Sequence, residues 1–259
     1  MAGEQPLQPA TDGRVPGRRG QATRQRLLAC TAELLDGTPW RSIKVIDIAR
    51  QAGTSPATFY QYFENVEQAI LVLAEELAEG AGALAALVEG DWSEERGWAT
   101  ARAVVQGFLD YWEANRAVFR VVELATEEGD LRFRRLRVRA LNAVTVALAR
   151  AVDAGPAPAG PPGPAGADPM AVAATVISML AHVAAHRYGF EFWGIRTTDM
   201  VDSQARILLW TVTGRSVPVD EADLRHRPEP RTGPVVGGGA ARARTDSARR
   251  ATARRKPAT

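Results

Sequence analysis

The chain has 259 residues, a formal net charge of +2 and one cysteine, Cys30. This length is sufficient to bury a sizeable core in one large domain or two small ones. A single cysteine excludes a disulfide framework and is typical of a reducing compartment, which predicts a cytoplasmic protein. The most apolar run, residues 171–181, is too short to span a bilayer, so we expect no membrane contact.

The N-terminal region begins with residues 1–20, which are rich in Pro, Gly, Gln and Arg and show no periodicity. This composition predicts a disordered basic arm. A first helix is predicted from about Thr23 to Leu35, because the apolar residues of this segment recur along one helical stripe.

Residues 43–63, IKVIDIARQAGTSPATFYQYF, predict two short helices joined by a tight turn. Gly53 stands where a left-handed backbone conformation is needed. Ser55 supplies an N-cap oxygen, and the proline after it occupies the first position of the second helix. Phe59 and Phe63, four residues apart, are expected to face inward. A helix-turn-helix requires this arrangement, because apolar residues fix the helix angle while polar and aromatic residues reach DNA.

At these residues the chain closely resembles the tetracycline-repressor (TetR/AcrR) family of transcriptional regulators. The resemblance covers roughly the first third of the chain and rests on Arg24–Leu35, the turn Asp36-Gly37-Thr38-Pro39-Trp40, Ile48-Ala49, Ala52-Gly53 and Thr58-Phe59-Tyr60-Gln61-Tyr62-Phe63. It implies a homodimer that binds a palindromic DNA operator and responds to a small-molecule inducer. The family commonly has a phosphate-binding lysine where this chain has Val66. Here the helix dipole and backbone N–H groups would hold that phosphate instead.

The resemblance also implies which residues of the second helix contact DNA: Ser55, Pro56, Ala57, Thr58, Tyr60, Gln61 and Tyr62. Gln61 is the best candidate for base readout, because a glutamine amide pairs with adenine N6 and N7. Thr58 and Tyr60 suit phosphate contacts, as do Arg41 and Lys44 just before the first helix of the motif. For both tyrosines, packing within the head is the alternative interpretation.

The remainder of the chain predicts helices without strands. Asn65 with Gln68 makes a capping-box-like start for a long fourth helix, in which glycines 80 and 82 predict a bend. Further helices are predicted over residues 93–114, 116–127, 130–152, 170–193 and 198–213, with a flexible Pro/Gly/Ala linker at 153–169. The fold class is therefore all-α. A three-helix head spans residues 21–66, and a roughly six-helix ligand-binding and dimerisation body spans residues 67–214.

Aromatic residues are frequent in the body, and an apolar cavity lined by aromatic rings is the usual small-molecule site. In the TetR family the body encloses such a pocket for an inducer. We therefore expect a largely apolar ligand of unknown identity, lined by Phe108, Trp112 and Phe119. Ordinary core packing is the alternative for each ring, and no cofactor is expected.

Two clusters of polar residues in the body each have two interpretations. Five arginines between residues 132 and 139 suit either an anionic ligand, such as an acyl-CoA phosphate, or a solvated face paired with nearby acids, which is favoured. His182 and His186 have a spacing that can hold a metal, but no third ligand of the expected type stands nearby. We predict no metal site in the chain and expect both histidines in the dimer interface or the pocket wall.

Basic residues are concentrated at the two ends of the chain. Residues 215–259 carry eleven basic and five acidic residues, whereas residues 27–214 are acidic on balance. A basic segment attracts DNA and an acidic body repels it, which favours binding through the N-terminal head. The tail, 215–259, predicts a disordered extension that is either simply solvated or a non-specific nucleic-acid tether.

The sequence thus predicts a sequence-specific DNA-binding regulator, released from its operator by a ligand. The alternative is a constitutive or architectural DNA-binding protein without a switch, which would depend on the basic tail. An enzyme is not expected, because the sequence offers no Ser/His/Asp set, phosphate loop or metal cluster.

Overall fold

The structure, a computed structural model, describes residues 17–155 and 167–216. These residues form ten α-helices and two short 3₁₀ turns, with no β-strand among them. The helices are α1 (Arg18–Gly37), α2 (Val45–Gln51), α3 (Pro56–Tyr62), α4 (Val66–Gly80), α5 (Gly82–Val88), α6 (Gly97–Ala114), α7 (Arg116–Glu127), α8 (Leu131–Asp153), α9 (Pro169–Phe190) and α10 (Thr197–Thr213). The predicted all-α fold class is confirmed.

The head consists of α1, α2 and α3. Its first helix begins at Arg18, so the predicted disordered arm of residues 1–20 extends three residues too far. The first turn closes with a hydrogen bond from the Gln21 amide to the Gly17 carbonyl at 3.0 Å. A single glycine such as Gly20 costs a helix only about 1 kcal/mol, which the rest of α1 offsets. The earlier part of the arm lies outside the described residues.

The predicted long fourth helix is divided into α4 and α5 at Ala81. Glycines 80 and 82 flank this residue and weaken the helix there, as expected from their backbone freedom. The Tyr111 hydroxyl also donates to the Leu77 carbonyl, an acceptor in the last turn of α4. The division gives the described part of the body seven helices where about six were predicted.

The centre of the body is α8, which packs against α4, α5, α7 and α9. Its buried residues recur every three or four positions, as an amphipathic helix requires, and include Phe133, Leu136, Ala140, Val144 and Leu148. The predicted start of the linker, at residue 153, is one residue too early, since α8 continues to Asp153. Residues 156–166 of that linker lie outside the described residues.

The last two helices form the C-terminal end of the described fold. The Asp168 carboxylate accepts a hydrogen bond from the Ala171 amide at 2.8 Å and so caps α9. A 3₁₀ turn, Glu191–Trp193, replaces the last three residues predicted for this helix. After α10 the chain turns at Gly214, which has φ +67°. Residues 217–259, most of the predicted tail, lie outside the described residues.

Candidate nucleic-acid interface and ligand-binding body

The turn between α2 and α3 has the geometry that the sequence predicts. Gly53 has φ +63°, and its amide donates to the Arg50 carbonyl at 3.1 Å. The next amide, of Thr54, donates to the Ala49 carbonyl at 2.9 Å. These two hydrogen bonds form a Schellman motif, which satisfies the terminal carbonyls of α2 and redirects the chain into α3.

Replacing Gly53 by alanine is expected to destabilise the head by about 1–2 kcal/mol, because an L-residue is strained at this φ. An added Cβ would meet nothing within 4 Å, so the cost would come from the backbone alone. Urea denaturation followed by circular dichroism measures this change. Gly37→Ala is the matched control, since its Cβ would also meet nothing and its φ is not positive. An equal loss in both variants would contradict this explanation.

The recognition helix of the motif, α3, is capped and anchored from within the head. The Ser55 hydroxyl accepts from the Thr58 amide at 3.2 Å and lies 3.0 Å from the Thr58 hydroxyl. Phe59 and Phe63 are buried, with ring centroids 5.4 Å apart. The buried Ile48 of α2 belongs to the same apolar core as these two rings. The helix is therefore held at a fixed angle by its cap and its apolar side.

The residues predicted to contact DNA divide into two groups on α3. Four of them are exposed on the outer side of the helix: Pro56, Ala57, Tyr60 and Gln61. Tyr60 is 52% exposed. Ser55 is also exposed, beside the N-terminus of the helix. Thr58 and Tyr62 are half-buried, and Tyr62 packs against the apolar core. The geometry therefore favours Tyr60 and Gln61 as the residues that reach DNA, while Tyr62 has a packing role whether or not it contacts DNA.

Two basic residues precede α2, and the structure distinguishes them. Lys44 is exposed at the N-cap position of α2, where a phosphate contact is sterically open. Arg41 instead pairs with Glu128 at the end of α7 and lies over the Trp40 ring, 4.5 Å from its centroid. The hydrogen bond to Glu128 raises the pKa of Arg41 further. We therefore retain Lys44 as the predicted phosphate contact and assign Arg41 to the junction with the body.

The N-terminus of α4 has a variant of the capping box, in which the Gln68 side chain bonds the residue before the N-cap. The Asn65 side chain accepts from the Gln68 amide at 2.8 Å, and the Gln68 side chain accepts from the Glu64 amide at 2.5 Å. Val66, which stands where the family commonly has lysine, is half-buried against the apolar core. Its side chain cannot replace the charge of a lysine, so a phosphate at this position would depend on backbone N–H groups.

Head and body are joined by polar contacts that sequence reasoning did not find. The guanidinium of Arg120, on α7, donates to the Leu35 carbonyl near the end of α1. Arg41 pairs with Glu128 at the other end of α7. The side-chain amide of Gln25 donates to the Glu76 carboxylate of α4 at 3.3 Å. These residues lie far apart in the sequence, so no local pattern marks them as partners.

Replacing Arg120 by leucine is expected to loosen the head without unfolding the body. Loss of this charge-assisted hydrogen bond, worth roughly 1.5 kcal/mol, should increase hydrogen exchange of α1–α3 amides about tenfold. Exchange in α8 and α9 should stay unchanged. Arg102→Leu serves as the control, because Arg102 pairs with Asp202 within the body at 2.8 Å. Equal exchange of head amides in both variants and the parent would contradict the assignment.

The three residues predicted to line a pocket are all buried in the body, within the apolar core. The rings of Trp112 and Phe119 are stacked, with centroids 3.7 Å apart and planes 5° apart, and Phe108 is also buried. Tyr111 meets Phe119 edge to face at 5.8 Å. None of the three predicted residues lines either of the clefts described below. Their role in ligand binding therefore stays a prediction.

A cleft of about 380 Å³ lies between the head and the body, next to this aromatic cluster. Its walls come from α1, α4 and the α6–α7 connection, and Tyr111 is its aromatic member. Burial raises the pKa of Tyr111 to about 12, so its hydroxyl stays protonated and continues to donate to Leu77. Tyr111 was visible in the sequence only as one of many aromatics.

The arginine run at the start of α8 is paired only in part. Arg132 contacts Asp130 and Glu67, and the hydrogen bond from Arg132 holds the pKa of Asp130 below its ordinary value. The next arginines on the exposed face form no ion pair with another described residue, so the predicted pairing with nearby acids is seen only at Arg132 within this part of the chain. With Leu131 and Val138 they line an open groove of about 460 Å³: Arg134, Arg135 and Arg139.

The outer side of α10 exposes two large apolar side chains, and α9 packs beside this helix. On α10, Trp210 is 64% exposed and Ile207 is 44% exposed. On α9 the exposed residues are mostly small, including Ala174 and Ser178. We refer to this exposed side of the two helices as the α9–α10 face. An apolar patch of this kind marks a protein interaction surface or a membrane surface.

By length and composition alone, α9 could also cross a membrane, and it is longer than the apolar run seen in the sequence. In its most apolar stretch, 33% of the residues are buried in the protein. The helix packs against α8 and α6, which is typical of a core helix. Core helices of soluble proteins also meet this criterion, so it is weak evidence for a membrane span.

Taken together, the capped recognition helix, the glycine turn and the separate helical body define a helix-turn-helix protein of the regulator class. A family model described as Tetracyclin repressor-like, C-terminal domain matches residues 84–219. The chain therefore belongs to the TetR family. The head resembles this family in its sequence motifs, and the body matches it through an independent model.

Known proteins with similar sequences or folds include other transcriptional regulators. EthR, an HTH-type transcriptional regulator from Mycobacterium tuberculosis H37Rv, is 33% identical over 117 residues, which cover 44% of this chain and 53% of EthR. The chain thus spans about half the length of the curated relatives it matches.

Solved structures extend the similarity over more of the chain. A TetR-family regulator from Streptomyces coelicolor matches with a TM-score of 0.58 and 18% identity. The match covers 90% of this chain and 99% of that one. FadR of Bacillus subtilis, solved in complex with stearoyl-CoA, has a TM-score of 0.51 and 18% identity, covering 74% and 98%. At these identities the structures establish the fold alone.

Proposed function

We propose that this chain is a homodimeric transcriptional regulator that binds a palindromic operator through α3 and is released from it by a small ligand. The observation that carries the proposal is the geometry of α3. Its apolar residues and cap fix it in the head, while Tyr60 and Gln61 remain exposed on the outside. A short helix held in this way can enter the major groove and present polar side chains to base edges.

Dimerisation is proposed to occur through the α9–α10 face. Trp210 and Ile207 expose an apolar surface that a second copy would cover, and the small residues of α9 allow close approach of helices. A symmetric dimer presents two recognition helices to two half-sites, about 34 Å or somewhat more apart. Such a dimer would bind a palindromic operator.

The ligand is proposed to be small and largely apolar. The buried aromatic cluster of Phe108, Trp112 and Phe119 supports this class. FadR of Bacillus subtilis was solved with stearoyl-CoA, whose acyl chain is apolar although its CoA part is anionic. Phe119 is followed by Arg120, which holds the end of α1. A ring displacement at Phe119 would therefore move α7 and shift the head. A coupling of roughly 1–3 kcal/mol would change operator affinity about 5–150-fold.

A second candidate function is constitutive DNA binding through the basic tail, favoured by the charge of residues 215–259. Removal of residues 217–259 discriminates the two, and it leaves Arg215, which donates to the Trp92 carbonyl, in place. We expect the truncated chain to keep site-specific binding in a gel-shift assay with a palindromic duplex and its scrambled counterpart. Loss of all binding on truncation would favour the tail-dependent function. In either case we assign a cytoplasmic location and no enzymatic activity.

A further inference from the structure

The exposed side of α9 carries a pair of histidines that the proposed DNA binding does not use. His182 and His186 are one helical turn apart, and both are exposed. Their rings are stacked, with centroids 4.3 Å apart and planes 23° apart. Two imidazoles at i and i+4 on one helix can therefore turn ring nitrogens towards the same point outside the helix.

A hydrogen bond prepares one of these rings as a metal ligand. Nδ1 of His186 lies 3.0 Å from the His182 carbonyl oxygen. In the neutral ring, a protonated Nδ1 donates to this carbonyl and leaves the lone pair on Nε2. Metal-binding histidines commonly donate their second ring N–H to a carbonyl or carboxylate in this way, which fixes the tautomer and the ring orientation.

Within the described residues of one chain, the pair lacks a third ligand. No group of three His, Cys, Asp or Glu residues able to hold a metal occurs in residues 17–155 and 167–216. Glu123 of α7 is close enough for both histidines to oppose the rise that burial causes in its pKa. Arg137 of α8 also opposes this rise in the pKa of Glu123. Further ligands would therefore come from outside the described residues of one chain, and a second copy of the chain can supply them.

We propose that two copies of the chain, paired through the α9–α10 face, bring their His182–His186 pairs together and hold one Zn²⁺ ion between them. The inference rests on the proposed function, in which this face forms the dimer. Across a two-fold axis, residues near the axis meet their own copies. Ala174, Ser178 and Ala185 share this side of α9 with the histidines, and their small side chains let the two helices approach. Two pairs supply four imidazole nitrogens, the number that a closed tetrahedral zinc site requires.

The test is zinc titration of the untagged full chain after removal of metals with a chelator. Calorimetry, with metal analysis after dialysis, is expected to give one Zn²⁺ per two chains. His182→Ala and His186→Ala should each weaken zinc binding at least about 100-fold. His226→Ala replaces the third histidine of the chain and is the matched control, with binding unchanged. One ion per chain, or undiminished binding in His182→Ala, would overturn the zinc site.

Molecular mass by light scattering and operator binding, both measured in EDTA, separate this inference from the proposed function. A dimer that binds its operator in EDTA but takes up no zinc would overturn the zinc site and leave the regulator in place. A chain that stays monomeric with and without zinc would overturn both. Zinc uptake at one ion per two chains, with a more stable dimer than in EDTA, would support the site.

Discussion

Replacing Trp210 by glutamate is expected to yield a monomer that binds its operator about 10²–10⁴-fold more weakly than the parent. A buried carboxylate opposes pairing of the α9–α10 face, and a monomer loses the gain from simultaneous contact with two half-sites. Trp210 is 64% exposed in the single chain, so the fold of each copy should be retained. Analytical ultracentrifugation gives the association state, and fluorescence anisotropy with a labelled operator gives the affinity.

Leu131→Glu provides the matched control for this variant. Leu131 is 57% exposed and apolar like Trp210, but it lies on α8, outside the α9–α10 face. We expect this control to remain a dimer with parental affinity. A monomer produced by Leu131→Glu and not by Trp210→Glu would move the dimer interface to the groove on α8.

Phe59→Ala is expected to destabilise the head by about 3–5 kcal/mol, the range for truncation of a fully buried phenylalanine. Phe59 is 0% exposed and lies between α3 and the rest of the head core. Truncation leaves a cavity against Phe63, whose ring centroid is 5.4 Å away. Urea denaturation measures the loss of unfolding free energy, and operator binding should fail because α3 no longer has a fixed position.

Tyr60→Ala distinguishes stability from recognition at the adjacent position. Tyr60 is exposed, so its removal should change the unfolding free energy by less than about 1 kcal/mol. Operator binding should nevertheless weaken strongly, because Tyr60 stands on the outer side of α3. If Tyr60→Ala destabilised the head as much as Phe59→Ala, then Tyr60 would belong to the core.

The head could be predicted well from the sequence because its signals are local. The glycine at the turn, the Ser55 cap and the Phe59–Phe63 spacing each fix the conformation of residues only a few positions away. The helix stripes of the body were equally informative, as Phe133 and Val144 on α8 illustrate. The predicted ends of the helices were less accurate, since a lone glycine at 20 did not prevent formation of α1 from Arg18. The two glycines that flank Ala81 did interrupt the long fourth helix, as predicted.

Contacts between distant segments could not be predicted in the same way. Arg41 was expected at a phosphate but pairs with Glu128, 87 positions away. Arg120 and its partner carbonyl at Leu35 are 85 positions apart. Such pairs depend on how the head rests on α7, and no periodicity in the sequence records that arrangement. The DNA contacts and pocket residues stay predictions for a different reason, since they depend on molecules that bind to the chain.

Selection of bound fragments from sheared genomic DNA by the purified chain tests the central claim most directly. A variant carrying Tyr60→Ala and Gln61→Ala is used beside the parent. We expect the parent alone to enrich one palindromic sequence, which would place the recognition helix and the dimer on DNA together. Equal enrichment by both proteins, without sequence preference, would contradict recognition through α3 and would transfer DNA binding to the basic tail.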